Sequence, residues 1–231
     1  MAKTKNALIK LSGTLYDVTF VDSKAYGKHA RSPRGTHKKA EINAVLLENS
    51  RKTDVINNTA QVIHDHFKDI GHGFKEGRLW QALLSCFFTA PTTSLADLYT
   101  SIQGLELNRK YPLNRLVLVP QLSVYVRKGK LRLNLEPQHH PHFSKQLEVD
   151  GYFYTVHLLY LDSKGEAIDT DGIETEWVHF TDEVPFYELS FDVPLKICYY
   201  ILVLEVVAGY KQVPLDVFPA KGMRVLAAGK K

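Results

Sequence analysis

The chain has 231 residues, 45% hydrophobic and 23% charged, the composition of an ordinary soluble globular protein with room for one large domain or two small ones. Its longest unbroken apolar run, Ile197–Leu204, is far short of the ~20 residues that span a bilayer. The opening Met1–Lys10 lacks the apolar h-region of a signal peptide, so the expected location is the cytoplasm, with signal-less export as the alternative. The net charge of +4 is unevenly spread. Residues 1–39 carry nine Lys/Arg against Asp17 and Asp22, a net of +7, which leaves −3 on the other 192 residues. A basic arm is attached to a slightly acidic body.

Residues 7–21 alternate as strands do, with Gly13 at a turn or bulge and Leu15, Tyr16, Val18 and Phe20 supplying mostly β-forming side chains. The stretch Tyr26–Gly35 then turns polar and basic. The expectation for 1–39 is a basic β-hairpin followed by an extended arm. Its apolar face has no evident local partner, so it must pack on the C-terminal sheet or add to a neighbouring subunit.

From Ala40 the period changes. Ala40–Glu48 reads as a first helix. Ile56, Ala60, Ile63, Phe67 and Ile70 step by 4, 3, 4 and 3, a second, amphipathic helix with Thr53 as its N-cap and Gly71 at its end. Arg78–Thr89 is a more apolar helix stopped by Pro91. Ser94-Leu-Ala-Asp97 opens a short helix that Gly104 closes. Residues 40–108 are therefore expected to form a small helical bundle or layer.

Beyond Asn108 the signals are β. Candidate strands are Leu113–Val119, Leu122–Val126, Lys130–Leu135, Tyr152–Leu161, Thr175–Phe180, Phe186–Phe191, Lys196–Ala208 and Met223–Ala227. Lys196–Gly209 is apolar on both faces, which marks a central strand covered on both sides, and Tyr152–Leu161 is its natural partner. The predicted fold is α+β: the N-terminal hairpin arm, the helical layer, and over 109–231 an antiparallel β-sandwich, immunoglobulin-like in outline. Cys86 and Cys198 both sit in apolar runs and are expected as buried thiols, with a disulfide left open.

Gly13-Thr-Leu-Tyr-Asp-Val-Thr-Phe20, the basic Tyr26…Arg31…Gly35 stretch, the helical middle and Gly104-Leu-Glu-Leu-Asn108 together resemble uncharacterised families of short Bacteroidetes proteins. The resemblance implies an N-terminal hairpin, central helices and a C-terminal β-domain, and it brings no catalytic residue.

Several constellations invite a ligand. His139-His140-Pro141-His142 holds a His-x-His pair of the kind that ligates zinc or copper, against the simpler reading of a polar loop. His64 and His66, two apart on a helix, point to different sides. Asp169-Thr-Asp-Gly-Ile-Glu174 has a fragment of a calcium-loop pattern, and reads more simply as a solvated acidic turn. Trp177, Phe180, Phe186 and Tyr187 could form a carbohydrate- or peptide-binding surface, although aromatics alternating with polar residues belong to a core. No Gly-x-Ser-x-Gly elbow, P-loop, dinucleotide fingerprint or His-Glu-x-x-His is present, and the chain reads as a non-enzyme with no cofactor.

The leading expectation is a structural subunit that self-assembles, head to tail, into a filament or array. Ile9, Leu11, Leu15, Val18 and Phe20 would form the docking face, with Arg31, Arg34, Lys38 and Lys39 as an electrostatic clamp on the acidic body of the next copy. The alternative partner is nucleic acid, bound by the same basic arm with Tyr16, Phe20 and Tyr26 stacking on bases.

Overall fold

The computed structural model describes residues 13–15, 18–24, 27–31, 43–71, 78–118, 121–127 and 129–231. It divides into two compact units, 1–49 and 50–231. In the first, β1 (Gly13–Leu15), β2 (Val18–Ser23) and β3 (Gly27–Arg31) form an antiparallel sheet in that order. The helix α1 (Ala44–Ile70) begins in this unit, where Val45, Leu46 and Leu47 lie exposed, and runs on into the second.

The expected break between two helices in 40–70 is absent. Glu48–Lys52 is polar all round but holds no Gly or Pro, so nothing interrupts the backbone ladder and the helix continues through it. Thr53 is accordingly an interior residue, not an N-cap. Ile56, Ala60, Ile63 and Phe67 form the buried stripe that the spacing predicts. The helix α2 (Leu79–Thr89) follows. In α3 (Leu95–Ser101) the Ser94 hydroxyl accepts from the Asp97 N–H at 3.2 Å, and Gly104 at φ +81° ends the segment.

Leu113–Val119, expected as a strand, is instead a helical turn, α4 (Leu113–Leu116). The cause is tertiary: the Glu106 carboxylate accepts from the N–H groups of Leu113 (2.8 Å) and Asn114 (3.3 Å) and caps the turn. Strands β4 (Gln121–Arg127) and β5 (Lys130–Glu136) form a hairpin. Then come β6 (Gly151–Leu161), β7 (Ala167–Glu174), β8 (Val178–His179), β9 (Tyr187–Asp192), β10 (Tyr199–Tyr210), β11 (Val213–Pro214) and β12 (Lys221–Lys230). Asp169–Glu174 is thus an extended strand, not a turn, and Thr175–Phe180 contributes only the two residues of β8.

The expected central pair is present. β6 and β10 run antiparallel from Tyr199↔Leu161 to Gly209↔Gly151. β12 lies on the other side of β10, and β7 flanks β6. Alternation sends one set of side chains to each face. Leu159, Leu161, Ile201 and Val203, with Met223 and Val225 of β12, meet α1, α2 and α3 in one core. Tyr154, Val156, Leu158, Leu202 and Leu204 meet Leu131, Leu133 and Phe191 of the three-stranded sheet β4-β5-β9 in a second. The protein is α+β, mostly strand, with its antiparallel sheets packed in a sandwich-like arrangement and helices on the opposite face.

Candidate functional site

In the N-terminal sheet, Leu15 pairs with Val18, Phe20 with Ala30, and Thr19 with Arg31. Val18 and Phe20 share a face by alternation, and Val18 is exposed. Arg31, paired opposite Thr19, belongs to the other face. Among the described residues its buried Nε has no hydrogen-bond partner. Ile9, Leu11, Arg34, Lys38 and Lys39 lie outside the described residues.

The second unit has an acidic outer strand. Among the described residues β7 pairs only with β6, so it is an outer strand. Every residue of it is exposed except the half-buried Ile173. It carries Asp169, Asp171 and Glu174 and no Lys or Arg. The entry to β7 is fixed by Asp162, whose carboxylate accepts from Lys164 N–H at 2.7 Å and Glu166 N–H at 2.9 Å, with Gly165 at φ +83° closing the turn. The backbone hydrogen bonds at Glu166, Lys164 and Gly165 hold the Asp162 carboxyl below its ordinary range. Two donors of the strand are taken by its own acids: Thr170 N–H donates to Asp169 (2.9 Å) and Gly172 N–H to Asp171 (2.8 Å). A charged, self-capped edge of this kind opposes pairing with an identical edge.

The opposite edge is closed. Gly104 N–H donates to the Val225 carbonyl (2.8 Å), Val225 N–H to Leu105 (2.9 Å), and Leu107 N–H to Met223 (2.9 Å). Asn108, buried, donates to the Phe218 and Lys221 carbonyls at 3.1 and 2.8 Å. The Gly104–Asn108 motif therefore serves as a cover strip for β12.

The histidine loop is structural. His140 Nδ1 lies 3.0 Å from the Tyr152 hydroxyl and Nε2 3.0 Å from the Asp182 carbonyl, so both ring nitrogens are occupied. His139 and His142 meet edge to face, 4.5 Å between centroids. Among the described residues no three His, Cys, Asp or Glu side chains gather as metal ligands would. Of the four aromatics suggested as a ligand surface, only Phe186 is exposed. Trp177 packs against Gly151 and Gly209, which face each other across the sheet and have no room for a Cβ. Phe180 stacks near Tyr152, and Tyr187 near Tyr154. Cys86 and Cys198 are free and half-buried.

One polar cluster sits between helix and sheet that sequence spacing gave no means of finding. His157 Nε2 of β6 lies 3.1 Å from Glu205 of β10, both largely buried. His66 of α1 is buried with an unpartnered Nε2, and its pKa falls to about 4, first through burial and then through His157, with Asp69 opposing. The tyrosines of the other core are pushed upward, Tyr160 to about 12 and Tyr154 further, chiefly by burial.

No protein family and no curated protein matches the chain. Among solved structures, a penta-heme cytochrome c552 from Thermochromatium tepidum is similar at 11% identity and a TM-score of 0.32, over 66% of this chain and 49% of that one. The chain thus spans about half the length of that cytochrome, and a likeness of this size carries no argument. No helix among the described residues is long and apolar enough to cross a membrane.

Proposed function

We propose that the protein is a non-enzymatic structural subunit that assembles head to tail, the basic arm of residues 1–39 docking on the acidic β7 edge of the next copy. The observation that carries this reading is β7: an eight-residue outer strand, exposed along its length and acidic, in a chain whose opposite end is strongly basic. Like charge disfavours two β7 edges meeting each other. Opposite charge favours a basic strand, whose Lys and Arg draw Asp169 and Asp171 away from the backbone donors they occupy. A contact between two different surfaces propagates into a filament unless its rotation closes a ring. The exposed Val18, Val45, Leu46 and Leu47 add apolar surface that a neighbour would cover.

Light scattering and negative-stain images of the full chain and of a chain lacking residues 1–39 test this. The account expects long or regular particles from the first and monomers of the remaining 192 residues from the second. A monodisperse full-length species at 26.2 kDa contradicts it. Tight nucleic-acid binding by that monomer, lost on truncation, would assign the arm to nucleic acid instead.

A further inference from the structure

The second unit also contains an open cleft of about 660 Å³, unrelated to β7. Its walls come from the first two turns of α2 (Arg78, Gln81, Ser85) and from the cover strip after α3 (Gln103, Glu106, Arg109). The volume lies in the range of small-molecule sites. The lining is unusual in its charge. Arg78 and Arg109 are exposed, and among the described residues neither has an ion-pair partner. Arg224 of β12 lies beside Gly104, its Nη2 3.1 Å from where a Gly104 Cβ would sit.

Against the two lining guanidiniums stands one carboxylate, Glu106, and it is already committed. It accepts from the N–H groups of Leu113 and Asn114 and lies 3.5 Å from Arg224 Nε. That distance is an ion-pair contact without hydrogen-bond geometry, and the buried Arg224 Nε has no hydrogen-bond acceptor. With Glu106 engaged by the backbone and by Arg224, Arg78 and Arg109 leave the concavity electropositive on a body whose overall charge is negative. Guanidinium forks flanked by carboxamide and hydroxyl groups match the planar, multidentate oxygens of carboxylates and phosphates. Burial pushes the Cys86 thiol on the cleft wall upward, which disfavours its thiolate form.

We infer that this cleft is a binding site for a small, multiply charged organic anion, a polycarboxylate or a phosphorylated compound, held by Arg78 and Arg109 with Gln81 and Ser85. The inference is independent of the assembly reading, since none of these residues belongs to the arm or to β7.

Calorimetric titration of the full-length protein with citrate and, separately, with glucose 6-phosphate tests it. Saturable, salt-sensitive binding of at least one probe is expected, about tenfold weaker in Arg78→Gln/Arg109→Gln. Which probe binds identifies the anion class. Ser85→Trp, an exposed position, should block the cleft without lowering the melting temperature. Failure of both probes to bind, or binding unchanged in the double variant and in Ser85→Trp, overturns the inference.

Discussion

The central sheet ends differently on its two sides. On the β12 side the strip Gly104–Asn108 satisfies the backbone, Gln103 Nε2 adds a 2.6 Å bond to the Ala228 carbonyl, and helices cover the face. On the β7 side the strand is exposed except at Ile173, and it carries Asp169, Asp171 and Glu174. A sheet edge must be paired, covered or charged. Among the described residues of this sheet, the β12 side is covered and the β7 edge is charged. The difference also separates two kinds of residue: those on the β12 side hold the fold, and those on the β7 side are the ones the proposed assembly would use.

The largest contrast is a matched pair of truncations. Met223→Ala removes a fully buried side chain from β12 and should cost about 2–5 kcal/mol in denaturant unfolding. Ile168→Ala on β7, 40% exposed, should stay within about 0.5 kcal/mol. Comparable losses at both positions would break the distinction between the edges.

Acid separates the two sides next. His66 titrates near 6.5 when unfolded and near 4 when folded, so the unfolded chain binds more protons between those values. The stability present above pH 6.5 is lost progressively as pH falls to 4, on the order of 3 kcal/mol. His66→Phe should flatten that slope in urea melts run from pH 7 to 4. The Asp162 turn leading into β7 has the same sign in a lower pH window. Its carboxyl is held below 3.8, so its contribution persists above that pH and fades only below it. The helix-covered side should therefore weaken first on acidification, a sequence that amide exchange at different pH values would reveal.

A smaller effect is expected at the cover strip. Gly104 has φ +81°, and a Cβ there would press on the Arg224 guanidinium. Gly104→Ala should cost roughly 1–3 kcal/mol, measured as a shift in denaturation midpoint without a change in slope.

Much of the covered side is legible in sequence, because burial writes periodicity. The two-faced apolar run Lys196–Gly209, its partner Tyr152–Leu161 and the 4-3-4-3 stripe of α1 all follow from spacing, and Ser94 and Gly104 follow from local backbone chemistry. The open side is not legible in the same way. β7 is polar on both faces because it buries almost nothing, so Asp169-Thr-Asp-Gly reads as a turn until β6 is seen supplying its hydrogen bonds. The helical turn at Leu113 depends on a carboxylate seven residues away, and the cleft arginines are brought together by α2 and the strip after α3. Neither arrangement leaves a local pattern. For the arm, Leu15, Val18 and Phe20 lie in β1 and β2, Gly27–Arg31 is a third strand where the sequence predicts an extended tail, and the register assigns Arg31 to the opposite face from Val18 and Phe20.

The measurement that bears most directly on the central claim is a charge exchange read by sedimentation velocity. Asp169→Lys/Asp171→Lys should leave the melting temperature within a few degrees and abolish assembly, since both residues are exposed. Adding Arg34→Glu/Lys38→Glu to that variant should restore it. Assembly that survives the β7 exchange, or that is lost and not restored by the reversed arm, would contradict docking of the basic arm on β7.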